Sequence, residues 1–154
     1  MKLFKEISFA SALSLAALFS IAKGHTEDLK LGDLVIHHSW SAEAPAAAPV
    51  AAAFVEITNN GKTDDTLIKA TAEIAGTVQI HEMSMAGDVM KMAEVKGGIP
   101  IPAGKTVTLQ PMGLHIMMMN LKAHPKLGEH FKGTLTFKNA GTINVDFIVE
   151  PKSM

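Results

Sequence analysis

The sequence predicts an all-β fold, a single antiparallel β-sandwich. Three observations lead there. Short segments rich in Val, Ile, Thr and Phe recur along the chain, separated by Gly, Pro and Asn. The last third alternates apolar and polar residues, as in Thr134-Leu135-Thr136-Phe137 and Asn144-Val145-Asp146-Phe147-Ile148-Val149, the period of a strand with one wet face. Beyond the N-terminal leader, no stretch sustains a 3.6-residue apolar period.

The strands are expected, in order, at Leu29–Trp40, Ala51–Asn59, Thr66–Ala72, Thr77–Met83, Val89–Val95, Thr106–Leu109, Leu114–Leu121, Phe131–Phe137 and Ile143–Val149. Asn60-Gly61 is a tight-turn dipeptide. Lys96-Gly97-Gly98 and Pro102-Ala103-Gly104 also break the chain, and residues 44–49 form a small-residue loop between the first two strands. Nothing indicates an internal repeat or a second folded domain.

Residues 1–24 read as a secretory signal peptide. Lys2 and Lys5 make a basic start, Ile7 to Ala22 is uncharged, and Ala22 or Gly24 ends a small-x-small cleavage site. The apolar run is short for a membrane span, which needs about 20 residues, and no later segment of the mature chain is apolar enough to span. The folded domain is therefore expected at residues 25–154, in the periplasm or outside the cell. Losing three Lys and one Glu with the leader leaves a mature net charge of about −3, with no Arg anywhere. No basic patch with interleaved aromatics is present, which argues against nucleic acid as a partner.

The chemistry concentrates in one stretch. Eight of the ten methionines lie between Met83 and Met119, and His81 and His115 stand with them. The spacing is His81, ten residues, Met92, twenty-two residues, then His115-Ile116-Met117. Thioether sulfur and imidazole nitrogen suit a soft ion of low charge, above all Cu(I). The chain has no Cys, so a soft-metal site must be built from Met and His, and a thiolate-dependent blue-copper centre is excluded. Zinc would favour Cys, His and carboxylate over thioether. Strand geometry puts i and i+2 on one face. His115 and Met117 thus point together, as do His81 and Met83, and Met90 and Met92. If the hairpin of strands 77–83 and 89–95 meets strand 114–121, then His81, Met92, His115 and Met117 converge on one ion.

This pattern resembles the signature of the PCu(A)C family of periplasmic copper chaperones. The phrases Asp88-Val89-Met90-Lys91-Met92, Gly113-Leu114-His115-Ile116-Met117-Met118-Met119 and Gly133-Thr134-Leu135-Thr136-Phe137 extend the likeness over nearly the whole mature chain. Asn120 stands where the family has Gly. The resemblance implies a cupredoxin-like, Greek-key sandwich binding one Cu(I) near its surface. It also implies copper delivery toward cytochrome c oxidase, with an oxidase subunit or a Sco-type protein as recipient. It assigns the metal to His81, Met92, His115 and Met117, with Met83 and Met119 in reserve.

Other features carry less. Met85, Met90, Met112 and Met118 are assigned to core packing, the ordinary use of Met. Trp40 is expected as a core anchor. His37, His38, His124 and His130 are expected to be solvated or hydrogen-bonded rather than ligating. His25 near the new N-terminus offers a Cu(II)-type arrangement of amine, backbone and imidazole nitrogens. No nucleophile elbow, oriented triad or phosphate-cradling loop is present, so an enzyme is not expected. The competing reading is a metal-free secreted sandwich whose methionines form an adaptable patch for a protein partner.

Overall fold

A computed structural model describes residues 27–152; the signal segment expected at residues 1–24, and His25, lie outside the described residues. The strands are β1 (Leu29–Leu31), β2 (Leu34–Ala42), β3 (Val50–Asn59), β4 (Asp65–Ala72), β5 (Ala75–Ala86), β6 (Val89–Glu94), β7 (Ile99–Ile101), β8 (Thr106–Thr108), β9 (Leu114–Leu121), β10 (His130–Phe137) and β11 (Gly141–Glu150). Among the described residues there is no helix, hence none long and apolar enough to cross a membrane.

Most expected strands stand within a residue or two of their places, because the period-2 pattern is strong where one face is buried. Two differences have local causes. The segment Leu29–Trp40 is broken at Gly32-Asp33, where Gly32 takes φ +58 and Leu31 pairs back on Leu34 as a tight hairpin. The short strand Ile99–Ile101 was not expected, since Pro100 sits at its centre. It is tolerated because β7 ends the strand order and pairs only with β4. Asn120 adopts φ 52, a left-handed conformation that suits Gly and that Asn tolerates better than most residues.

Hydrogen bonding runs continuously through β6-β5-β9-β3-β2-β11-β10-β4-β7. Strands β4 and β5 lie toward opposite ends of this order, yet only Glu73 and Ile74 connect them. The sheet must therefore fold back on itself, and its two halves enclose one core. Ile57, Ile116 and Met118 enter that core from one half, and Leu67, Leu135 and Phe147 from the other. The expectation of a purely antiparallel sandwich fails at one ladder: β11 runs parallel to β2, with Ile148 opposite Trp40 and Val149 opposite Ser41. Trp40 is half-buried rather than central; it packs on Phe54 with ring centroids 4.5 Å apart and on His38 at 5.9 Å.

The core assignment of four methionines is also corrected. Met118 is fully buried, but Met85, Met90 and Met112 are exposed. Met112 lies in the turn before β9 with φ 69; for Met85 and Met90 the reason is their face of the ribbon and where a neighbouring strand stops. Pairing of β5 with β9 ends at Glu82 opposite Leu114, while the β5–β6 hairpin continues to a turn at Gly87-Asp88. Residues 83–92 thus extend past β9, and Met85 and Met90 lie on the face opposite the one from which Ile80 enters the core.

Close approach of β10 to β4 depends on Gly133. A Cβ there would lie 2.2 Å from the Thr71 carbonyl oxygen and 3.0 Å from the Phe147 ring. Gly133→Ala should push β4 from β10 and destabilise the domain by about 1–3 kcal/mol, read as a lower urea midpoint with an unchanged slope.

Candidate metal centre

The register of three neighbouring strands assembles the cluster. His81 on β5 lies directly opposite His115 on β9, and Gln79 opposite Met117. On the other side of β5, Met83 faces Met92 and His81 faces Glu94 across to β6. Residues paired across a ladder point to the same face. His81, Met92, His115 and Met117 therefore share one face of the β6-β5-β9 ribbon, with Met83 and Met119 beside them. Ala52 on β3 lies opposite Met117, a small neighbour that leaves the thioether room.

The two imidazoles meet edge-on, with ring centroids 5.8 Å apart and planes at 64°. Each ring has one nitrogen committed. His115 Nδ1–H donates to the Gly113 carbonyl at 2.9 Å, and His81 Nε2–H donates to Gln79 Oε1, also at 2.9 Å. The acceptor identities set the tautomers: His115 carries a bare lone pair on Nε2 and His81 one on Nδ1. His81 Nδ1 is a buried side-chain polar atom that no protein hydrogen-bond partner reaches, which leaves it open to a water or an ion. The Gly113 carbonyl also accepts Met83 N–H at 3.1 Å, so one oxygen ties the β5 backbone to the His115 ring.

Depth is graded across the set. His115 is 4% exposed and Met117 is buried, His81 is intermediate, and Met92 on the edge strand is 48% exposed. His115 and Met117 are thus buried, His81 is partly covered and Met92 stands accessible at the rim. Among the described residues no group of three or more His, Asp or Glu could hold an ion; the other soft donors on the face of the two imidazoles are thioethers.

The remaining described histidines are otherwise engaged. His37 pairs with Asp28 at 2.8 Å, His38 with Glu150 at 2.7 Å and His130 with Asp146 at 3.3 Å, while His124 donates to the Ala48 carbonyl at 3.0 Å. Gln79 is the participant that sequence reading missed. Its signal was available: it precedes His81 by two residues on a strand and so shares its face.

The chain matches the LpqE-like family, described as "Putative lipoprotein LpqE-like", over residues 34–149. A protein of Leifsonia xyli subsp. xyli, likewise named for a lipoprotein, is 37% identical over 97 residues, covering 63% of this chain and 58% of that one. The chain thus spans little more than half the length of this curated relative. Among solved structures, the apo PCuAC domain from PmoF1 matches with TM-score 0.69 and 24% identity, over 81% of this chain and 99% of that domain. The copper-bound PCuAC domain from PmoF2 matches at 0.68 and 22%, over 81% and 98%. The solution structure of Cu(I)-DR1885 from Deinococcus radiodurans matches at 0.61 and 29%, over 82% of each chain. The fold is that of a PCuAC domain, a cupredoxin-like β-sandwich.

Burial first, and the neighbouring His115 second, lower the His81 pKa below its ordinary 6.5, against a smaller opposing pull from Glu94. The folded state therefore prefers the neutral ring. On acidification the unfolded chain takes up this proton first, so the stability contribution is complete above pH 6.5 and is lost as pH falls toward the lowered folded-state value. Urea unfolding of the metal-free protein between pH 7.5 and 5 should show this loss, and His81→Gln should flatten that part of the profile.

Proposed function

Because this chain belongs to the LpqE-like family, we propose that it is an exported carrier of Cu(I), which it binds through His81, Met92, His115 and Met117 and passes to a copper-accepting protein. The observation that carries the reading is the pair of facing imidazoles with their outer nitrogens pinned and His81 Nδ1 left buried without a partner. Likeness to a Cu(I)-bound relative at 29% identity supports the choice of ion.

The donor chemistry fits that cargo. Two neutral imidazoles and two thioethers bring no charge, so a monovalent soft ion is held without thiolate-like tenacity. Thioethers do not protonate in water, and the depressed His81 pKa keeps its ring available below neutral pH. Gln79 and the Gly113 carbonyl act behind the ligands by fixing which ring nitrogen faces the ion. Transfer follows from the gradient in depth. Met92 is exposed on the edge strand, so an incoming donor displaces it first while His115 and Met117 still hold the ion. The recipient is of the cytochrome c oxidase subunit or Sco type, and delivery takes place in the periplasm after export by the leader. The family name speaks of lipoproteins, but these 154 residues hold no Cys to carry a thioether-linked lipid.

Competition for Cu(I) against a chromophoric chelator tests the assignment. Partners standing behind a metal ligand are worth about 10–100-fold in affinity. Gln79→Leu should therefore weaken binding by about that much, and His115→Ala by more. Unchanged affinity in both His115→Ala and Met92→Leu would remove these residues from the site.

A further inference from the structure

The β5–β6 hairpin carries a second set of sulfur donors beyond the proposed Cu(I) site. Past the end of β9, the ribbon pairs Met83 with Met92 and Met85 with Met90. The opposite face of the same ribbon carries Glu82, Ser84, Ala86, Val89, Lys91 and Ala93. One face is thus methionine at four successive positions, and the other is mixed. Met85 is 61% exposed and Met90 41%, so neither fills a core. Strand propensity does not explain them either, since an exposed strand favours Thr, Val or Ile. What Met offers here and those residues lack is a soft donor atom on a flexible stem.

Directly opposed residues of an antiparallel pair hold their Cβ atoms about 4.5–5.5 Å apart. Two methionine side chains from such positions close readily on one small ion. We infer that Met85 and Met90 form a separate, thioether-only site for a soft monovalent cation, Cu(I) or Ag(I), at the tip of the hairpin. This inference goes beyond the His/Met carrier reading and rests on it for its role. The tip pair lies one cross-strand step from Met83 and Met92 and two from His81, all on one face. An ion captured at the exposed end moves inward by ligand exchange, first to Met92 and then to the imidazoles. Two neutral sulfurs hold it weakly, which suits an entry point and not a store.

The test is a titration of Ag(I) into the exported protein carrying 13C-methyl methionine, with every Met methyl signal followed by NMR. The methyls of Met92 and Met117 should move during the first equivalent and those of Met85 and Met90 during the second. Met85→Leu/Met90→Leu, an exposed and volume-conserving change, should abolish the second phase and lower the stoichiometry from about two ions to about one. In His81→Ala/His115→Ala the tip signals should still respond. Stationary Met85 and Met90 methyls would overturn the tip site, as would a second phase that survives the double leucine variant. So would movement of all four thioethers in a single step. Stationary tip methyls would leave the tip methionines as an apolar contact surface for a protein, and a single step would merge them into one shared site. A first phase absent from Met92 and Met117 would instead refute the inner site, which keeps the two failures distinct.

Discussion

The register between β5 and β9 is the constraint on which the site depends. It sets His81 against His115 and Gln79 against Met117. A slip of one residue would turn every donor on one strand to the other face. That register is held from the core side: Ile80 and Ile116 form a buried pair between the two histidines and Gln79/Met117, and Met118 is fully buried beside them. The face that builds the site and the face that builds the core are two sides of the same strands, so core packing specifies where the imidazoles meet.

Position alone would not make the histidines useful. A neutral imidazole presents a donor at one nitrogen and a lone pair at the other, and the surroundings decide which is which. The Gly113 carbonyl and Gln79 oxygen each take an N–H, leaving one bare nitrogen on each ring. Both acceptors are local in sequence, two residues from the ring they orient. The cost is a buried polar atom on His81 without a partner and a pKa depressed by burial and by the second imidazole. Such strain is tolerated at functional sites because the rest of the sandwich is well packed.

Much of this was legible in the chain. Strand alternation located nearly all the strands, and the His-x-Met spacing with its upstream His and Met picked out residues that the register sets on one face. The parallel pairing of β11 on β2 was not legible, because a period-2 pattern says which face is buried but not which way the neighbour runs. The β7 strand was hidden by Pro100, since a Pro reads as a break until its strand is known to lie at an edge. The fate of Met85, Met90 and Met112 was misjudged for a related reason. Composition favours Met in cores, but burial requires a residue to face the core: Met85 and Met90 lie on the other face of the ribbon past the end of β9, and Met112 stands in the turn before it.

The sequence by itself determined the inventory and its local phase: no thiol, an abundance of thioether, and His and Met at strand spacing so that donors share a face. Only the tertiary structure decided which of those donors meet, which are sealed and which stand in water. Phase along a strand is a property of covalent geometry, readable from residue order alone. Depth and convergence depend on where other strands begin, pair and stop, and those contacts join residues far apart in the chain.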